Sequence, residues 1–179
     1  VLTGTLRVQI ERENGDSAIL AMLGPGEVVG EMSVVDSLGR SATVITQEEC
    51  VVLWIDRASF WSCLRTMPLL TCNLAAVLSR RLRLANAQIL ALGTLDVYGR
   101  VARQILAFAQ EYGVAAGDGD GDVRIPLHIT QSDFASLIGA SRARVNQVLV
   151  SFRRRKYITV DRNYQITVLN RPGLARYCG

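Results

Sequence analysis

Thr130-Gln131-Ser132-Asp133-Phe134-Ala135-Ser136-Leu137-Ile138-Gly139-Ala140-Ser141-Arg142-Ala143-Arg144-Val145-Asn146-Gln147 holds two helix starts on either side of one small-residue turn. Thr130 suits an N-cap, with Asp133 three residues on as its reciprocal acidic partner. A first helix is predicted over Asp133 to Ile138, Gly139-Ala140 turns the chain, and Ser141 caps a second helix through Arg154. Small turn residues permit the tight crossing of a helix-turn-helix. On the second helix Val145, Val148, Leu149 and Phe152 form an inward stripe, which leaves Arg142, Ala143, Arg144, Asn146 and Gln147 facing outward. Downstream, Tyr157 to Val160 and Gln165 to Val168, joined across Asp161 to Tyr164, read as a two-stranded wing. The C-terminal part is expected to be a winged helix.

Charge points the same way. From residue 126 to the end, nine Lys and Arg face only Asp133 and Asp161, a net of +7. The whole chain carries +4, so the first 125 residues carry −3. An acidic front joined to a basic tail is the electrostatic footprint of a chain whose C-terminal part meets nucleic acid. The Arg153-Arg154-Arg155-Lys156 run adds little by itself, because cations commonly end a helix.

Working back toward the start, the period changes twice. Residues 4–55 are broken by turns every eight to twelve residues, at Asn14-Gly15-Asp16, Gly24-Pro25-Gly26, Ser37-Leu38-Gly39 and Gln47-Glu48-Glu49. The runs between them, Leu6 to Ile10, Ala18 to Met22, Ala42 to Ile45 and Val51 to Ile55, are rich in Val, Ile and Leu. That pattern reads as a small antiparallel barrel or sandwich. A short helix is predicted over Arg57 to Arg65, and Pro68 then suits the first turn of a long one. Its apolar positions Leu74, Leu78, Leu82, Ala85, Ile89 and Leu92 are spaced 4, 4, 3, 4 and 3. Such a seam exceeds what one small domain can cover, so a second copy of the chain is the expected partner. Asp96 to Tyr112 resumes helix, with Val97, Val101, Ile105 and Phe108 on one face. Asp118, Asp120 and Asp122 alternate like the start of a calcium loop, but Ile129 stands where the bidentate Glu belongs, so an ordinary loop is expected.

Between two predicted strands lies Gly30-Glu31-Met32-Ser33-Val34-Val35-Asp36-Ser37-Leu38-Gly39-Arg40-Ser41-Ala42. A phosphate diester needs close backbone amides and one cation, and a ribose hydroxyl needs a carboxylate to donate to. Gly30 lets the main chain approach, Arg40 offers a planar fork, Glu31 is the acceptor, and Ser41 adds a hydroxyl and an amide.

Gly30-Glu31-Met32-Ser33 and Arg40-Ser41-Ala42 resemble the phosphate-binding cassette of cyclic nucleotide-binding domains. With the helix-turn-helix added, the chain resembles the catabolite activator / fumarate-nitrate regulator family from the third or fourth barrel strand to the C-terminus. The resemblance implies an α+β fold: an N-terminal antiparallel, jelly-roll-like β-barrel over 1–67, a long dimerisation helix over 68–95, and a winged helix-turn-helix over 96–179. The absent initiator Met and abrupt start fit a chain lacking the first barrel strands. Glu31 would take the ribose hydroxyl, and Arg40 with Ser41 the cyclic phosphate, with Met32, Ser33 and Ala42 completing the cassette. Arg81 falls where the family places an arginine near the ligand. Ala85-Asn86 stands in place of the adenine-reading Thr-Ser pair, although Asn86 can still bond a purine edge.

In the reader, Arg142 falls where the family sets an arginine on guanine, for which its fork is suited. Ala143 and Gln147 replace a Glu and a second Arg, so the operator should differ there, and Gln147 suits adenine. Thr130, Gln131, Ser141 and Arg144 are expected on phosphates, which fix register without reading sequence.

The reading is a cytoplasmic, homodimeric, effector-gated transcriptional regulator. Cyclic AMP is the expected effector and no tightly bound cofactor or metal is expected. A pseudo-palindromic DNA duplex is the expected partner and RNA polymerase a further one. Two alternatives stand beside it: a regulator of the same fold sensing haem, 2-oxoglutarate or redox state, or nothing; and a cyclic nucleotide-binding module of an enzyme. Cys50, Cys63, Cys72 and Cys178 show no C-x-x-C spacing, which fits reduced thiols rather than a zinc ribbon or a disulfide scaffold. No apolar run reaches the ~20 residues of a membrane span. No enzyme is expected either: the single His128 has no nucleophile or metal cluster near it, and reads as a capping or phosphate-facing group.

Overall fold

A computed structural model describes residues 1–11, 17–36, 38–117 and 121–179. The Asn14-Gly15 turn, Ser37 of the cassette and Asp118 and Asp120 lie outside the described residues. The fold is α+β. Strands β1 (Leu6–Glu11), β2 (Ser17–Leu23) and β3 (Thr43–Thr46) form an antiparallel sheet in the order β2-β1-β3, with a bulge between Val8 and Gln9. Among the described residues this sheet is open and does not close into a barrel. The fourth expected strand, Val51 to Ile55, is tied only at its first residue among the described residues, where Val51 bridges Thr3 and accepts from the Leu2 amide at 2.8 Å, and Leu53 stays 82% exposed. An apolar run becomes a strand only when a neighbour completes its ladder, and among the described residues none continues alongside it past Val51.

The cassette contains a short helix the sequence reading did not anticipate, α1 (Glu31–Val35). Gly30 precedes it at φ 85°, a left-handed conformation that glycine adopts without strain. Helix α2 (Arg57–Thr66) starts on Asp56, which accepts from the Ser59 amide at 2.9 Å. Helix α3 (Pro68–Thr94) then runs 27 residues without a break, about 40 Å at 1.5 Å per residue. No helix among the described residues is long and apolar enough to cross a membrane.

The C-terminal part begins with α4 (Val97–Tyr112), capped by Asp96 on the Gly99 amide at 2.8 Å. Its inner face of Val101, Ala102, Ile105 and Phe108 is buried against α5 (Gln131–Ile138) and α6 (Arg142–Arg154). The expected two-stranded wing is the outer half of a four-stranded sheet. Strands β4 (Val114–Ala115), β5 (Val123–Ile125), β6 (Ile158–Val160) and β7 (Ile166–Val168) pair in the order β4-β5-β7-β6. Helix α7 (Arg171–Ala175) closes the domain, and Tyr98, Phe152 and Tyr177 pack ring to ring beside it.

The two halves share a core. Ile19 and Met22 of the first sheet join the cluster built by Val101, Phe134, Val145 and Phe152. Polar contacts pin the same seam: Arg7 pairs with Asp133 at 3.0 Å, the Ile19 amide donates to Ser136 Oγ at 3.0 Å, and the His128 amide donates to Thr5 Oγ1 at 3.1 Å.

Candidate functional site

A cavity of about 730 Å³ opens where the cassette, α3 and α4 meet. Glu31, Arg40 and Ser41 line it from the cassette side, Arg81 and Gln88 from α3, and Arg103 and Glu111 from α4. Gly30, Met32, Ser33 and Ala42 also reach it, so the structure brings eight of the nine expected ligand residues to one space. Arg40 and Glu31 are not each other's partners. Arg40 donates to Ser33 Oγ at 3.1 Å and is otherwise exposed, a cation held ready in the cavity wall. Ser41 Oγ lies 3.8 Å from Met32 Sδ.

Glu31 and Glu27 are buried to 5% and 6% exposure, and both are paired. Arg81 donates to Glu31 at 2.5 Å, to Glu27 at 2.9 Å and to the Val28 carbonyl. Arg80 donates to the second oxygen of Glu27 at 2.7 Å and reaches across to Glu111 on α4. The result is a continuous charge chain, Glu31–Arg81–Glu27–Arg80–Glu111, from the cassette through the long helix to the C-terminal domain. Burial alone would lower the Arg81 pKa, but Glu27 and Glu31 outweigh it and hold the guanidinium charged, above its ordinary value. Tyr112 lines the same cavity; burial first, then the Glu27 charge, push its phenol up to about 12.

The ninth expected residue, Asn86, is exposed in the single chain and does not line this cavity. It sits four residues after Leu82 and three before Ile89, so it shares their helix face rather than the inward one. Leu82 and Ile89 are 62% and 68% exposed, whereas Ala85 and Leu92 of the same seam border the cavity. The polar α3 side chain that does line the cavity below Arg81 is Gln88. Glu27, Arg80, Gln88, Arg103 and Glu111 were not anticipated. Their one visible signal was the Arg80-Arg81 doublet midway along the long helix.

The second candidate surface is the outer face of α6. Thr130 Oγ1 accepts from the Asp133 amide at 3.2 Å while Asp133 accepts from the Thr130 amide at 3.0 Å, so the reciprocal cap is complete. Gly139, at φ 62°, ends α5, and Ser141 caps α6 through the Arg144 amide at 3.3 Å. Val145, Val148, Leu149 and Phe152 are buried, while Ser141, Arg142, Ala143, Arg144 and Gln147 are exposed together. Arg144 donates to Gln147 at 3.1 Å, and Gln131 donates to Asn146 at 3.0 Å, which adds Asn146 to this surface. Among the described residues Arg142 has no hydrogen-bonded or ionic partner. His128 is not a cap: Thr130 has that role, and the imidazole packs edge-on against Tyr164 of the wing at 5.3 Å.

Residues 99–177 match the Crp-like helix-turn-helix domain, and residues 1–67 match the cyclic nucleotide-binding domain. The CRP-like cAMP-activated global transcriptional regulator of Mycobacterium tuberculosis is 33% identical over 161 residues, covering 90% of this chain and 70% of that protein. This chain belongs to the CRP/FNR family of transcriptional regulators. Another member of the family, the cyclic AMP receptor protein of Thermus thermophilus, is 34% identical over 149 residues, or 83% of this chain and 64% of that one. Among solved structures, CooA from Carboxydothermus hydrogenoformans superposes with a TM-score of 0.78 at 20% identity, over 100% of this chain and 77% of that one. FixK2 from Bradyrhizobium japonicum gives 0.72 at 20% identity, over 100% and 85%. At those identities the likeness concerns the fold. The chain is thus a DNA-binding CRP/FNR-type regulator carrying a cyclic nucleotide-binding domain.

Proposed function

We propose that this regulator's affinity for DNA is set by a nucleotide held in the cavity, with cyclic AMP the first candidate. Residues 1–67 act as the sensor, 68–95 as the dimer helix and 96–179 as the reader. Gly30, Met32, Ser33 and Ala42 shape the cassette, Glu31 takes the ribose hydroxyl, and Arg40 with Ser41 takes the phosphate. Two copies pair along the exposed α3 face that carries Leu82, Asn86 and Ile89. They then present two α6 helices to successive major grooves of a pseudo-palindromic duplex. There Arg142 reads guanine, Gln147 reads adenine where Ala143 leaves room, and Thr130, Gln131, Ser141 and Arg144 hold phosphates. Such a complex can then engage RNA polymerase, and the cytoplasm is where both partners are met.

The single observation that carries this reading is the charge chain crossing the cavity. A ribose hydroxyl bonded to Glu31 competes with Arg81, and the rearrangement passes through Glu27 and Arg80 to Glu111 on the reader's first helix. A ligand shifts an equilibrium only by its differential affinity for two states, and displacing Arg81 from Glu31 would create the second.

Mass spectrometry of the protein as purified, together with thermal shift under cyclic AMP and cyclic GMP, tests the reading. A stabilising nucleotide whose effect disappears in Arg40→Ala is expected. No co-purifying nucleotide and no shift with either compound would remove the nucleotide effector.

A further inference from the structure

The cavity's charges do not balance for a single phosphate. Five arginines and three glutamates line it, a net of +2, and a cyclic mononucleotide brings one negative charge. Arg80 and Arg81 are the arginines paired with the three glutamates. Among the described residues, Arg40 of the cassette has only a serine hydroxyl. The other two, Arg100 and Arg103, stand one turn apart on α4, on the reader side of the cavity. Residues three apart on a helix are neighbours, so these like charges repel unless an anion sits between them.

Among the described residues neither has a carboxylate partner. Arg100 donates to the carbonyls of Ile138 and Gly139 at 2.8 and 3.3 Å, and its Nε is buried with no partner. Arg103, half-buried, makes no hydrogen bond or ion pair among the described residues. Burying cationic donors without an acceptor is costly, and a phosphoryl group accepts from two guanidinium forks at once. At about 730 Å³ the cavity is also in the upper half of the range of ordinary ligand pockets, roughly 300–1,000 Å³.

We propose that Arg100 and Arg103 form a second anion position in the cavity, and that the effector is a nucleotide with two separated phosphoryl groups, as in a cyclic dinucleotide. One phosphate occupies the cassette at Arg40 and the other bridges the two α4 arginines. Arg100 already holds the carbonyl end of α5 at the Gly139 turn, so the second phosphate bears directly on the helix-turn-helix. This inference rests on the reading that the cavity takes a nucleotide.

Isothermal titration of the whole chain with cyclic di-AMP, cyclic di-GMP, cyclic AMP and inorganic pyrophosphate tests it, in wild type, Arg103→Gln and Arg103→Lys. One cyclic dinucleotide should bind at least about tenfold tighter than cyclic AMP. Arg103→Gln should weaken it about tenfold, the scale of one charge-assisted hydrogen bond, while cyclic AMP changes less than about twofold. Arg103→Lys should recover most of the loss, which a merely structural role would not show. Cyclic AMP binding as tightly as either dinucleotide, or Arg103→Gln weakening both classes alike or neither, would overturn the second position and leave the nucleotide reading standing. If no nucleotide binds but pyrophosphate does, weakened in Arg103→Gln, the anion position survives and the nucleotide reading fails. Pyrophosphate indifferent to Arg103→Gln, or not bound at all, in the absence of nucleotide binding overturns both.

Discussion

Replacing Glu27 by Gln cuts the charge chain at its centre while keeping the side chain's shape. Glu27 is 6% exposed and accepts from Arg80 at 2.7 Å and Arg81 at 2.9 Å. Removing one partner of a fully buried ion pair costs about 3–5 kcal/mol. Two features reduce that here. The arginine side chains are 35% and 26% exposed, and each keeps a second carboxylate, Glu111 for Arg80 and Glu31 for Arg81. About 2 kcal/mol is the resulting expectation, between the buried figure and the 0–1 kcal/mol of surface pairs. For a chain of this size that lowers Tm by about 4–8 °C. Thermal and urea unfolding followed by circular dichroism measure it. Combining Glu27→Gln with Glu111→Gln should be non-additive, because both act through Arg80. A loss below about 0.5 kcal/mol, or strict additivity, would refute the chain as a connected unit.

Three further outcomes are expected. Arg142→Ala should cost about 1–3 kcal/mol on a selected duplex and far less on random DNA, as anisotropy titrations would show. Ile89→Lys should leave the fold intact and shift the chain to monomer in sedimentation velocity, since a charge in an apolar seam cannot be covered; an unchanged dimer would place the interface elsewhere. Tyr112 makes stability fall in alkali: its folded pKa is raised from 10.0 to about 12, so its contribution is intact below the unfolded value and is lost as pH rises through about 12. The loss approaches about 2–3 kcal/mol, and Tyr112→Phe should flatten that part of the stability profile.

Local rules made much of this molecule legible. The Thr130–Asp133 box, Gly139 and the Ser141 cap each settle a helix end from a few adjacent residues, and the structure places all three as read. The Pro68 start and unbroken run to Gly93 likewise give α3. Pairing at a distance was not legible. Strands β4 and β5 span two and three residues and exist through their partners β5 and β7, so they carry no period of their own. Val51 to Ile55 has the composition of a strand, but among the described residues its ladder stops at Val51. Asn86 is expected at the ligand because it stands with Ala85 in place of an adenine-reading pair; in the single chain it faces away from the cavity, since each residue turns a helix by about 100°. The charge chain joins residues 50 to 54 apart, between Glu27 or Glu31 and the Arg80-Arg81 pair, and nothing in either segment announces the other.

Affinity for a duplex selected from random sequence, measured with and without the stabilising nucleotide in wild type and in Glu31→Gln, reaches the central claim most directly. Wild type should bind at least about tenfold differently in the two conditions, and Glu31→Gln should bind the same duplex with that difference reduced to about twofold or less. Equal wild-type affinity with and without nucleotide, or a full response in Glu31→Gln, would mean that the cavity does not govern the reader.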